Sequence, residues 1–177
     1  MEQVHTNENK IEKPPMLYHG SSNKNIEEFE PRPTTFNHSI KDNFIVATPY
    51  YKKALPYLFD GEIDDERKSW NSGVFGDGEI FAVIPVSEED FRRNDKGGAI
   101  YKMSPEFFDS SEDRKEYEWF STVPVKPLEV EIFESILETW KDEGINAYFL
   151  TEEQYQFFRT ISTGDEKQKY LHSVKEL

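Results

Sequence analysis

Apolar residues fall in short runs separated by charged or Gly- and Pro-bearing stretches, and the spacing within each run predicts its element. Residues 16–19 (MLYH) form a strand closed by Gly20-Ser21-Ser22, and residues 43–48 (NFIVAT) form a second. Behind Pro49, the residues Tyr50, Ala54, Tyr57 and Leu58 recur at i, i+4, i+7 and i+8. That spacing predicts a helix of about 10 residues with one apolar face, its last turn disturbed by Pro56. Residues 79–86 (EIFAVIPV) are nearly all apolar and predict a central strand. Residues 99–103 follow Gly97-Gly98 as another, and Ser104-Pro105-Glu106 opens a capped helical turn.

Farther along, residues 117–125 and 128–133 predict two strands whose Pro124 and Pro127 suit an edge or a kink. Residues 133–143 predict an amphipathic helix stopped by Gly144, and residues 146–150 a strand. Thr151-Glu152-Glu153-Gln154 has the form of a capping box opening a last helix to about Ile161. The acidic, glycine-rich residues 60–78 and residues 86–98 read as loops. Residues 1–15 read as a loose N-terminal arm, 16–162 as a single domain and 163–177 as a frayed polar tail. Short strands with helices interspersed irregularly predict an α+β class, not the regular alternation of a doubly wound sheet.

Composition narrows the functions available. The chain has 177 residues with 21 Lys and Arg against 35 Asp and Glu, a net charge of −14. This balance argues against a protein gripping a nucleic-acid backbone, since that affinity rests on basic patches; Arg92, Arg93 and Lys96 form the compact basic cluster. Hydrophobic residues are 36% of the chain, but 15% are aromatic, and their large rings supply a core. Without cysteine there is no disulfide, thiol nucleophile or Cys-based metal site. The four histidines (His5, His19, His38, His172) are scattered, so no metal is expected. No apolar run is long enough to span a bilayer and the polar start lacks a signal-peptide core, so a cytoplasmic protein without membrane partners is expected.

Neither a Rossmann nor a P-loop glycine pattern is present, and the acids Asp109, Glu112, Asp113, Glu116 and Glu118 are dense enough to read as a solvated surface. Three short motifs stand out by their order. Leu17-Tyr18-His19-Gly20-Ser21 places a histidine at a strand end before a glycine that a ligand can approach closely. Next, the 43–48 strand feeds a helix carrying Ala54 and Tyr57, and later Glu118-Trp119-Phe120-Ser121 sets a carboxylate at the start of a strand.

Across residues 16–133 this order resembles the ADP-ribosyltransferase superfamily, in the branch of the poly(ADP-ribose) polymerases and diphtheria-toxin-like enzymes with a His–Tyr–Glu triad. The resemblance implies a split, mostly antiparallel β-sandwich with peripheral helices that binds NAD as substrate, needs no metal, and transfers ADP-ribose to an acceptor; the acidic balance of the chain points to a protein as that acceptor. It implies that His19 bonds a ribose hydroxyl of NAD, that Gly20 holds the nicotinamide carboxamide through its backbone, and that Ser21 lies near a ribose or phosphate. Tyr57 would stack on the nicotinamide over the small surface of Ala54, and Glu118 would be the catalytic carboxylate, with Glu116 as the alternative. Strand alternation puts those two acids on one side. One position departs from the pattern: Ile45 stands where the family's second motif has a tyrosine, leaving Tyr50, Tyr51 or Trp70 to supply the second wall of the pocket. That departure bears on catalysis more than on fold. The rival readings are a catalytically silent binding module of the same fold and an RNA 2′-phosphotransferase-like enzyme, which would need basic residues for its RNA.

Overall fold

The computed structural model describes residues 11–36, 40–111 and 113–175. In chain order these form β1 (Leu17–Ser21), β2 (Arg32–Phe36), β3 (Ile40–Ala47) and α1 (Tyr51–Ala54), which continues as a 3-10 turn, Leu55–Leu58. Then come β4 (Glu62–Ile63), β5 (Glu66–Arg67), β6 (Asn71–Val74), β7 (Ile80–Ile84), α2 (Glu88–Asn94) and β8 (Gly98–Met103). A second 3-10 turn (Pro105–Phe107) precedes β9 (Trp119–Ser121), β10 (Glu129–Phe133), α3 (Ile136–Asp142), β11 (Asn146–Phe149), α4 (Glu152–Thr160) and α5 (Gly164–Lys175).

The chain is α+β. One antiparallel sheet has the order β1-β8-β10, a second antiparallel sheet β2-β3-β9, and a mixed sheet β11-β7-β6 joins β7 to β11 in parallel. Among the described residues the backbones of the first two sheets meet at one isolated bridge, Tyr18 with Thr48. Three apolar clusters among the described residues form the core. Leu55, Leu58, Ile84, Phe91, Ile100 and Trp140 pack under α1 and α3; Leu17, Ile45, Tyr101, Met103 and Trp119 pack between the antiparallel sheets; Phe81, Val83, Tyr148, Phe158 and Leu171 pack under α4 and α5. The buried Trp140 donates its indole N–H to the Leu55 carbonyl at 2.8 Å, so the polar edge of the ring is satisfied where its area is buried. No helix among the described residues is long and apolar enough to cross a membrane.

Several predicted elements differ in extent. The helix after Pro49 is a short α-helix that tightens into a 3-10 turn at Leu55-Pro56, because Pro56 lacks the N–H an α-helical turn uses. At three residues per turn Leu55 and Leu58 share the inner side. Both are fully buried, whereas Tyr50 and Tyr57, expected on the apolar face, are 43% and 55% exposed. Residues 60–78 are not one loop: they hold the β4–β5 hairpin, turned at positive φ by Asp64 and Asp65, and β6, which pairs with β7. Likewise 86–98 contains α2, capped by Ser87, whose hydroxyl accepts from the Asp90 N–H at 3.0 Å. The strand predicted over 117–125 is only three residues long, since residues 113–117 turn and Pro124 cannot extend a ladder.

The described residues toward each end make tertiary contacts. Residues 1–10 of the expected arm lie outside the described residues. Of the rest, Ile11 packs on the second apolar cluster and the Lys13 ammonium donates to the carbonyls of Pro105 and Glu106 at 3.1 and 2.7 Å. The expected frayed tail is α5. Its Leu171 is fully buried, and Gln168 and His172 reach Glu79, whose carboxylate also accepts from Asn146 and Tyr148. Burial pushes the Glu79 pKa up, but the hydrogen bonds from Tyr148, Gln168 and His172 outweigh it and hold this carboxyl below its usual range.

Candidate functional site

The site follows from the way β1 and β3 part. Residues 17, 19 and 21 of β1 face β8 in its ladder, and the opposite edge of the strand is taken at Tyr18, whose N–H and C=O bond Thr48 at 2.8 and 3.0 Å. Continued antiparallel pairing would next join Gly20 to Val46. Instead the His19 Nδ1–H donates to the Val46 carbonyl at 2.7 Å. By strand alternation the Gly20 N–H and C=O point to the side of Tyr18's, and there they open on a cavity of about 550 Å³.

Each wall has a distinct source. A carbonyl accepts and never donates, so Nδ1 carries the proton and Nε2 of a neutral His19 is an acceptor. Burial holds the His19 pKa below its ordinary value against the Val46 bond, and the Arg32 charge adds to the lowering. Phe29 packs edge-on against the imidazole, with 4.8 Å between ring centroids. Gly20 lies directly under α1: a Cβ there would stand 2.1 Å from the Ala54 carbonyl oxygen and 3.1 Å from Tyr57 Cβ. Ala54 and Tyr57 form the adjoining wall, and Trp70 backs the Tyr57 ring at 6.0 Å. Desolvation raises the Tyr57 pKa, a hydrogen bond from Ser72 opposes the rise, and the Glu118 charge adds to it. Ser72, Gly73 and Val74 of β6 complete this side.

The facing wall is the turn before β9. It supplies Arg114, Tyr117 and Glu118. Arg114 Nη1 donates to Glu118 Oε2 at 2.8 Å, and the Ser110 hydroxyl fixes the Glu118 carbonyl at 2.7 Å. Across from them the Lys53 ammonium sits between the rings of Tyr50 and Tyr117, 4.2 and 4.3 Å from their centroids. Loss of solvent lowers the Lys53 pKa, and the Glu116 charge opposes this. The charged lining is therefore two cations and one carboxylate, locally positive in a chain of net charge −14.

Of the residues singled out in the sequence, His19, Gly20, Ala54, Tyr57 and Glu118 all line this cavity. Ser21 does not: it lies opposite Ala99 in the ladder, and its hydroxyl accepts from the Asn23 N–H at 3.2 Å. Ile45 is buried in the core, while Val46, Ala47 and Thr48 line the cavity from the same strand end. Tyr51 packs on Tyr18 and donates to Glu131, Trp70 stands behind Tyr57, and Tyr50 donates to Glu116 at 3.2 Å. Glu116 is off the cavity and Glu118 in it, because a turn, not an alternating strand, carries them. The sequence reading missed Lys53, Ser72, Arg114 and Tyr117. The available signal for Arg114 was a lone arginine four residues before Glu118 in a run of acids. No protein-family model, curated protein or solved structure matches the chain.

Proposed function

We propose that the cavity binds NAD and that the protein transfers ADP-ribose from it to a protein acceptor. The observation that carries this reading is the convergence of His19, Gly20, Ala54, Tyr57 and Glu118, drawn from three distant segments, on one cavity. Its volume of about 550 Å³ lies within the range of small-molecule sites. In this reading the parting of β1 and β3 is the split of an ADP-ribosyltransferase-like sandwich, with the parallel β7–β11 pair as a departure from an all-antiparallel one.

Each group has a task that its geometry suits. The Gly20 N–H and C=O offer a donor and an acceptor side by side, the complement of a carboxamide. Tyr57 presents a ring face to the nicotinamide, and His19 Nε2 accepts from a ribose hydroxyl. Lys53 and Arg114 face the pyrophosphate. When the C1′–N bond breaks, nicotinamide leaves as a neutral base with the bonding pair, and positive charge develops on the ribose. The Glu118 carboxylate stabilises that charge; the acceptor's lone pair then forms the new C1′ bond and its proton passes to Glu118 or solvent.

A second reading is favoured by one observation. The Glu118 carboxylate is already bonded to Arg114, which suits a binding module of this fold without catalysis. The RNA-directed alternative fits less well: Arg92 is paired with Glu88 and Glu138 and Arg93 with Asp90, and neither lines the cavity.

Thermal unfolding with and without NAD, for the wild type and His19→Ala, tests the binding. Ligand at 100 times its Kd adds about 2.7 kcal/mol, a rise of roughly 5 to 10 °C in Tm. A rise lost in His19→Ala supports the site; no rise at millimolar NAD overturns the reading. Nicotinamide release by the wild type and Glu118→Gln then separates transferase from module.

A further inference from the structure

The outer strand of the first sheet is an open edge. In the order β1-β8-β10, nothing among the described residues pairs with the far side of β10. Glu129, Glu131 and Phe133 lie opposite Lys102, Ile100 and Gly98, which alternate along β8 with Met103, Tyr101 and Ala99, the residues opposite Leu17, His19 and Ser21 whose backbone groups face β8. The N–H and C=O of Val130 and Ile132 therefore point outward from the sheet. Residues 129–133 (EVEIF) contain no proline or glycine, and the charged positions that guard the edge are both glutamates.

Side chains mark both faces of the same strand. On one face Val130 and Ile132 are 48% and 50% exposed beside the fully buried Tyr101 and Ala99, so the buried surface of the sheet ends one strand early. On the other face Glu129 and Glu131 stand in register. Glu129 accepts from Lys102 Nζ at 2.7 Å and Glu131 from the Tyr51 hydroxyl at 3.1 Å, each through Oε2. Glu134, just beyond the strand, is almost fully exposed.

We propose that β10 is a docking edge for an extended protein segment in which basic residues alternate with apolar ones. Added as a fourth strand, such a segment takes the outward N–H and C=O of Val130 and Ile132, covers their side chains with its apolar positions and sets its basic positions against Glu129 and Glu131. Charge disfavours a second copy of this chain as the occupant in the register that overlaps all of β10 and in one of the two adjacent ones; the other, centred on Ile132, pairs only residues 131–133 of the strand. Antiparallel self-pairing centred on Val130 places Glu129 opposite Glu131 of the partner, and centring on Glu131 places it opposite itself; like charges directly opposed destabilise either register. This inference stands on the edge alone and does not depend on the NAD reading.

The probe is a fluorescein-labelled peptide of alternating lysine and valine, measured by anisotropy against the full chain. It is expected to bind in a 1:1 ratio, more weakly above about 0.5 M salt, and at least tenfold more tightly than a glutamate–valine peptide. N-methylation of its alternate amides, which removes donors without altering the protein, is expected to weaken binding at least tenfold. Ile132→Lys, an exposed substitution that leaves the ladder to β8 intact, is expected to do the same. Equal binding of the glutamate–valine or N-methylated peptide, an unchanged affinity in Ile132→Lys, or no binding at millimolar peptide overturns the proposal. So does a dimer in sedimentation that Ile132→Lys abolishes, which would make the occupant a second copy.

Discussion

The His19 imidazole holds the Val46 carbonyl at 2.7 Å, where continued strand pairing would have given that carbonyl to Gly20. One side chain thereby ends the backbone pairing between two sheets, leaves the Gly20 N–H and C=O facing the cavity, and presents its own Nε2 as an acceptor. Structural and ligand-facing roles of this residue cannot be separated by simple deletion, so stability and binding have to be measured together.

His19→Ala removes the donor to a partly buried carbonyl. The expected loss is about 1–3 kcal/mol in urea unfolding. His19→Asn, whose side-chain amide is also a donor, should recover part of that stability without recovering NAD-dependent stabilisation. Equal stability of His19→Ala and wild type would mean that the Val46 carbonyl finds another donor.

The titration of His19 gives the pH dependence a definite sign. Its folded pKa lies below the ordinary 6.5, so in the window between the two values the unfolded chain binds more protons than the folded one. The contribution is complete above pH 6.5 and is lost as pH falls from there through the folded pKa. Urea unfolding of wild type and His19→Ala across that window should show a steeper decline on acidification in the wild type. Parallel curves would remove His19 from the account.

Gly20→Ala places a methyl group 2.1 Å from the backbone oxygen of Ala54, where no flexible side chain can yield. α1 must move, at a cost of roughly 1–3 kcal/mol. A lowered Tm together with a lost NAD response is expected. An unchanged Tm would show that α1 shifts freely over β1.

Glu118→Gln keeps the shape of the side chain and removes its charge. The partly exposed pair with Arg114 contributes at most about 1 kcal/mol, so stability should change little. Nicotinamide release should fall at least about a hundredfold if the carboxylate stabilises the developing charge. Glu116→Gln should leave release nearly unchanged; a larger loss there than at Glu118 would reassign the carboxylate.

Leu171→Ala tests whether α5 belongs to the folded unit. Leu171 is fully buried against the β7 and β11 cluster, and its truncation should cost about 2–5 kcal/mol. Deletion of residues 163–177 should cost more, since it also strips Gln168 and His172 from Glu79. Wild-type stability in either variant would return this segment to a passive tail.

Elements whose apolar run or cap is local were legible in the sequence. β7, β8 and β11 follow from runs of apolar residues, and α4 from the reciprocal bonds of Thr151 and Gln154, which need only neighbours along the chain. β6 and α5 were not. Asn71, Ser72 and Gly73 have no strand preference of their own and are held by the ladder to β7, and α5 is anchored mainly by one buried leucine and polar contacts to Glu79.

The candidate site divides the same way. By itself the sequence determined the α+β class, the central strands and the order of the three motifs, because backbone preference and side-chain period act over a few residues. Only the tertiary structure decided that Glu118 and not Glu116 enters the cavity, that Ser21 and Ile45 turn away from it, and that Lys53, Arg114 and Tyr117 join it. Those outcomes depend on where a turn before β9 meets α1 and on a histidine displacing a backbone partner, contacts between segments far apart in sequence that no local pattern encodes.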